Sequence, residues 1–394
     1  MKTGRTIIVL FLVAALLGAA VIMAMPGKLD LRLAKPGQSA VPEQTEPALT
    51  DCAISHDHEF GAVYIESTID EFNALGFAYG DSVDVTFSNG YTLEDLPYYN
   101  GYYSQSGTPL LVAYPGYPYI AAAINNGDCL WDAAGVREGD TATITLRERG
   151  KYLDIQNARD IHYTDERADY ATDEIFANFR AVQAGQIRPD RLFRSASPCD
   201  NRHGRAAYVD KLLGEAEVQW ILNLSDDEEK IADCMEADDF ASPNFKALYD
   251  GAKVKPIALN MNLGSADFRE KLAKGLIAMS EKEGPYLVHC TEGKDRTGFV
   301  CMLLEALCGA TYQEIVDDYM LTYANYYGIT AASDAARYTV IVESVLDPLL
   351  RTMLNDPNAD LATADLAAGA VTFLQNAGMT DAQITALRDC LTAE

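Results

Sequence analysis

An apolar run from Pro285 to Val288 stops at His289-Cys290-Thr291-Glu292-Gly293-Lys294-Asp295-Arg296-Thr297-Gly298, and a second apolar run, Phe299 to Leu307, follows at once. The first run reads as a buried strand and the second as a helix, so the polar residues between them form a loop that ends at a helix N-terminus. A strand of this kind feeding a helix belongs to an α/β sheet. The loop also implies a chemistry. A helix N-terminus presents free backbone N–H groups and the positive end of a dipole, and a loop wound before it aims further N–H groups inward. Arg296 adds a two-pronged donor, suited to two oxygens of a phosphate dianion. Cys290 stands at the floor of this cradle, where a positive field favours the thiolate and makes it a nucleophile. Thr291, Glu292, Gly293, Lys294, Thr297 and Gly298 are the expected phosphate-binding positions around Cys290 and Arg296.

The string His-Cys-x-x-Gly-Lys-Asp-Arg-Thr-Gly resembles the Cys-x5-Arg signature of the protein tyrosine phosphatase superfamily, and most closely a bacterial branch that also acts on lipid phosphates. Asn178-Phe179-Arg180-Ala181-Val182 and Arg191-Leu192-Phe193-Arg194-Ser195-Ala196 look like the entry segments of the same branch, where they brace the catalytic domain. The resemblance spans about Asp173 to Leu391. One departure stands out: Asn223-Leu224-Ser225 occupies the place where the family has Asp-Leu-Arg. The resemblance implies a central sheet flanked by helices. It also implies hydrolysis of a phosphomonoester through a cysteinyl-phosphate intermediate, with no metal or other cofactor. Cys290, Arg296 and Asp295 are the implied catalytic residues. Asp295 is the first choice for the general acid, followed by Asp267 and then Asp226 or Asp227. Thr297 is placed to bond the sulfur, and His289 to fix the loop.

A formal charge of −27 over 394 residues argues against a nucleic-acid partner and slows encounter with polyanions. Lys294 would suit the extra phosphate of an inositol substrate, but Glu292 repels one. The balance favours a phosphotyrosine-bearing protein, with a phosphoinositide or inositol phosphate as the alternative substrate. A non-catalytic cell-surface binding protein is the reading from another class.

Lys2 and Arg5 precede an uninterrupted apolar run of 19 residues, Ile7 to Met25. This pattern predicts a signal peptide or signal anchor over residues 1–25 and a body outside the cytoplasm, secreted or membrane-anchored through residues 7–25. Residues 26–50 read as a linker, 51–156 as a β-rich accessory domain and 157–394 as the catalytic domain. In the accessory part, Val83–Phe87, Pro109–Tyr114, Tyr117–Ile124 and Thr141–Leu146 read as strands, with turns at Ser88-Asn89-Gly90 and Gly135–Asp140. The stretch Gly107 to Leu146, with Leu110-Leu111-Val112 and its turn glycines, resembles the C-terminal β-domain of S-adenosyl-L-methionine hydroxide adenosyltransferases and implies a small barrel. Its tyrosines, Tyr91, Tyr98, Tyr99, Tyr102, Tyr103, Tyr114, Tyr117 and Tyr119, suit either a β-domain core and rim or a ligand with an apolar face. Eight cysteines are present, and export would permit bridges such as Cys52–Cys129 or Cys199–Cys234.

Further strands are expected at Trp220–Leu224 and Lys255–Met261. Helices are expected from Tyr208, over Asp267–Lys282, Ala310–Tyr323, Ala331–Leu350, Ala367–Leu374 and Asp381–Leu391. Thr311 with Glu314 has the spacing of a capping box, and Thr380 that of an N-cap.

Overall fold

The computed structural model describes residues 46–393, so the apolar run at residues 7–25 lies outside the described residues. Among the described residues no helix is long and apolar enough to cross a membrane.

Seven strands form a closed barrel: β1 (Ala48–His56), β2 (Val63–Ile65), β3 (Ser82–Phe87), β4 (Thr92–Tyr99), β5 (Pro109–Val112), β6 (Ile120–Ile124) and β7 (Thr141–Glu148). They close in the order β1-β2-β6-β5-β4-β3-β7. Alternation places Val83, Val85 and Phe87 of β3 inside, against Ile65, Tyr98 and Ile144, while Thr86 faces out. The barrel begins at Ala48, so the last residues of the expected 26–50 linker are strand instead. The hairpin turn at Ser88–Gly90 is present, with Gly90 at φ 90°, a conformation that favours glycine.

The second half is a five-stranded sheet with helices on both faces. Its strands are β8 (Arg180–Ala181), β9 (Leu192–Ser195), β10 (Trp220–Asn223), β11 (Val254–Pro256) and β12 (Tyr286–His289), in the order β11-β10-β12-β9-β8. All neighbours are parallel except the edge strand β8. Strand β12 is central and buried throughout, as an apolar strand covered on both faces must be. One face packs on the helices Ala266–Ser280, Asp295–Leu307, Tyr312–Tyr327 and Leu366–Asn376. The other packs on Ala206–Glu215 and the shorter helices after β10.

Two sequence expectations need correction here. The strand expected over Lys255–Met261 is shorter and starts one residue earlier, at Val254. Pro256 ends β11, and the chain then turns through Ala258 at φ 41°. The expected helix Ala331–Leu350 starts later, at Ala335, and passes through a wide π-helical turn at Val342–Leu346 before resuming at Asp347–Leu354. Pro348 explains the wide turn, since its ring clashes with the carbonyl four residues earlier and it has no N–H to donate. The capping boxes at Thr311–Glu314 and Thr380–Gln383 both form. All eight cysteines are free thiols. Cys129 Sγ lies 3.8 Å from His56 Nε2 rather than bonded to Cys52.

Candidate active site

The chain from His289 to Asp295 crosses from the centre of the sheet to the N-terminus of the helix Asp295–Leu307. Three consecutive carbonyls of this loop are bonded to the surrounding protein. Thr291 O accepts from Ser197 N at 3.1 Å. Glu292 O accepts from Tyr326 Oη at 2.7 Å. Gly293 O accepts from Asn178 Nδ2 and from Arg194 Nη2, both at 3.1 Å. In a trans peptide the following N–H points away from the carbonyl. With the carbonyls turned outward, the N–H groups of Glu292, Gly293 and Lys294 therefore turn into the loop. The helix ladder begins with Gly298 N donating to Lys294 O at 2.7 Å, so the N–H groups of Asp295, Arg296 and Thr297 precede it. The result is an anion nest continuous with a helix N-terminus.

The bracing is itself buried. Arg194 donates to Asp318 Oδ2 at 2.5 Å as well as to Gly293 O. Arg180 donates to the other Asp318 oxygen at 2.8 Å and to Asn178 Oδ1 at 2.7 Å. Burial alone would raise the Asp318 carboxyl, but the two guanidinium groups override it and hold the group well below its ordinary value. Glu305, beside it, is pushed well above its ordinary value by burial and by the Asp318 charge. The entry segments expected to brace the site therefore do so, through Asn178, Arg180 and Arg194. Asp318, Thr322 and Tyr326 complete the brace from the helix Tyr312–Tyr327, and sequence reading missed them. Their spacing of four residues forms one polar stripe along that helix, a signal that was available. Arg205 was also missed. It is enclosed by Tyr163, Phe176 and Tyr326, with its guanidinium 4.8–5.0 Å from each ring, and it packs behind the tyrosine that holds Glu292.

Cys290 is buried at the base of the loop. Arg296 is held on both sides, donating to Leu259 O at 3.3 Å and to Thr291 Oγ1 at 3.1 Å. Thr297 is fully buried and its hydroxyl has no partner within the protein. Gly298 lies under Tyr319. His289 is fully buried. Its Nδ1 is 3.4 Å from Cys290 O and its Nε2 has no partner, so its hold on the loop is weaker than expected. Burial pushes its pKa down to about 4.

That shift predicts a pH dependence. The folded imidazole stays neutral while the unfolded one binds a proton near pH 6.5, so stability falls as pH drops from 6.5 towards 4. The expected loss at His289 is about 2 kcal/mol between pH 7 and pH 5. Urea midpoints of wild type and His289→Gln measured across that range test it, and equal slopes would rule the histidine out as the cause.

The general-acid candidates separate. Asp226 is buried and accepts from Asn223 Nδ2 at 2.9 Å and Ser225 Oγ at 3.0 Å, bracing the end of β10. Asp227 caps the helix Glu228–Glu236 through Lys230 N. Asp267 is exposed in the first turn of its helix and pairs with Lys271 at 2.9 Å. Asp295 is half-exposed, at 51 %, and pairs with Lys294 at 3.1 Å. The surrounding walls push the Asp295 carboxyl up, but Lys294 overrides them and holds it below its ordinary value.

The sequence model of the tyrosine phosphatase family matches residues 152–393, more than half of the chain. The chain belongs to the tyrosine phosphatase family. It is accordingly a phosphatase, a hydrolase of phosphate esters. No curated protein matches it. Among solved structures it is similar to the core catalytic domain of the PP-IP phosphatase SIW14 from S. cerevisiae, in complex with citrate. The identity is 19%, the coverage 42% of this chain and 83% of that one, and the TM-score 0.26. The family match begins at Tyr152, just beyond the last barrel strand, so the barrel lies outside the matched residues.

Proposed function

We propose that the protein is a cysteine-dependent phosphomonoesterase acting on phosphotyrosine. The observation that supports this most is the triple outward anchoring of Thr291, Glu292 and Gly293, which turns the loop N–H groups onto one point beside Cys290 and Arg296. A phosphate seated there meets the thiolate on one side and its leaving oxygen faces the rim. Cys290 attacks phosphorus, the P–O bond to the leaving group breaks, and Asp295 gives that oxygen its proton. Water then attacks the phosphocysteine, losing a proton to Asp295, and the thiolate departs with a hydrogen bond from Thr297. Arg296 and the loop N–H groups stabilise the charge on the equatorial oxygens in both steps.

Asp295 is favoured over Asp267 because it stands on the loop itself and faces the open cleft. Its lowered pKa in the free protein reflects Lys294. A bound dianion draws Lys294 to itself and repels the carboxylate, both of which raise that pKa towards the working range. Lys294 is also what supports the inositol-phosphate alternative. The N-terminal sequence, two basic residues before a long apolar run, supports export as a secreted or anchored protein.

The test is turnover of a phosphotyrosine peptide against inositol hexakisphosphate, with Asp295→Asn and Asp267→Asn measured in parallel. The peptide is the better substrate, and Asp295→Asn lowers its kcat about 100-fold while losing the acid limb of the pH profile. Preference for the inositol substrate, or loss of that limb in Asp267→Asn alone, would overturn the assignment.

A further inference from the structure

A cleft of about 1160 Å³ lies between the barrel and the α/β half. This exceeds the roughly 300–1,000 Å³ that a small-molecule site encloses. One side of it carries Lys294 and Asp295 from the loop together with Tyr319, Tyr323 and Tyr327. The other side is barrel, chiefly Tyr102, Tyr103, Tyr114 and Tyr117. The two halves are joined at its edge by a 3.2 Å bond from Ser106 Oγ to Met261 O, close to the Leu259 carbonyl that holds Arg296. The barrel tyrosines thus fall into two groups. Tyr98 and Tyr99 are core, whereas the group at 102–117 faces the loop across the cleft.

The charges of the cleft nearly cancel. Lys294 pairs with Asp295, and the other charged side chains are Arg159, whose guanidinium lies 5.4 Å from the Tyr103 ring, and the carboxylates Glu59 and Asp160, which leaves a net charge of about −1. Burial pushes the Tyr103 phenol up to about 12, so the tyrosines add no charge at neutral pH, and among the described residues Glu59 is the one charged barrel side chain lining the cleft. Such a lining attracts neither a polyanion nor a polycation. It is suited to aromatic and aliphatic groups on a chain of amides. Two buried hydroxyls on the cleft wall, Tyr319 Oη and Ser344 Oγ, have no partner within the protein. Ser344 belongs to the π-helical turn Val342–Leu346. Buried hydroxyls normally find a partner, and a peptide backbone offers both donors and acceptors.

We propose that this cleft seats the residues flanking the phosphotyrosine of a peptide substrate, with the barrel tyrosines as its outer wall. The barrel is then a specificity element of the active site. This rests on the phosphatase reading above and adds the side from which the substrate is selected.

The test compares kcat/KM for a phosphotyrosine peptide of roughly eight residues, about 26 Å when extended, with that for p-nitrophenyl phosphate. In Tyr103→Ala and Tyr117→Ala the ratio of the two falls about tenfold, through KM of the peptide rather than kcat. An unchanged ratio overturns the proposal, as does a similar fall for inositol hexakisphosphate. Should the variants not fold, wild type alone decides. Its kcat/KM rises from free phosphotyrosine to the peptide if the cleft is used, and a flat series overturns the proposal. The two readings fail separately. A wild type active on p-nitrophenyl phosphate but blind to peptide length removes only the role of the cleft. A wild type inactive on every ester removes the phosphatase reading and the cleft with it.

Discussion

Cys290→Ser will hydrolyse phosphotyrosine peptides at least about 10,000-fold more slowly than wild type, while its melting temperature stays close to that of the parent. The exchange replaces sulfur by oxygen in a buried position at the end of a central strand, with little change of volume. The folded loop, its outward-turned carbonyls and Arg296 should all persist, so phosphate still binds. What is lost is the nucleophile. A serine hydroxyl has no adjacent base here, because the buried imidazole of His289 is directed to the Cys290 backbone carbonyl. The measurement is phosphate release under single-turnover conditions, with phosphate binding by calorimetry as the control for the cradle. Activity within tenfold of wild type would show that another group attacks.

Gly293→Ala is expected to lower kcat/KM about 100-fold without touching any group that reacts. Gly293 has φ 69°, in the left-handed region where a Cβ costs about 1 kcal/mol or more. It is also pressed against the chain after β9. A Cβ there would lie 2.3 Å from Ser195 O and 2.8 Å from Ala196 N. Both are backbone atoms next to a strand, so they cannot swing aside. The loop itself must move, and with it the Gly293 carbonyl leaves Asn178 and Arg194. Activity assayed well below the melting transition, together with the transition itself, separates a displaced loop from an unfolded one. Full activity in a stable variant would mean that the loop tolerates displacement and that its anchoring is not what positions the phosphate.

The strand–loop–helix around Cys290 was legible because both apolar runs are long and uninterrupted, and because a loop of that length before a helix can do few things. Helix ends with side-chain caps were legible for a similar reason: Thr311 and Thr380 each sit three residues before a side chain that completes a box. The barrel was legible only in its regular strands. Strand β1 mixes polar and apolar residues and slips register between Leu49 and Cys52. Strand β2 has three residues, too few to show a period. Strand β4 carries Asp95 at φ 60° and Pro97, both of which break the expected alternation. At the site, Cys290 and Arg296 announce themselves by type and spacing. The groups that orient them are distant in sequence: Asn178, before β8, and Arg194, on β9, stand 115 and 99 residues from Gly293, and Tyr326, on the helix Tyr312–Tyr327, stands 34 residues from Glu292. A polar stripe on one helix face looks the same in sequence whether it meets water or a loop carbonyl. The role of the tyrosine cluster was ambiguous for the same reason, until the cleft separated its core members from its rim.

The double hold on the Gly293 carbonyl has a consequence for how portable the loop is. Its donors, Asn178 and Arg194, come from the stretch that enters the sheet before the strands on either side of the loop are complete. A fragment beginning after Ser195 would retain every letter of His289–Gly298 and none of these anchors. The Gly293 carbonyl would be free to rotate inward and the Lys294 N–H outward, weakening the positive field at the sulfur although Ser197 and Tyr326 still hold the two carbonyls before it. The motif is therefore not a self-contained module that could be grafted onto another strand and helix. Its charge preference is conferred by the chain that wraps it.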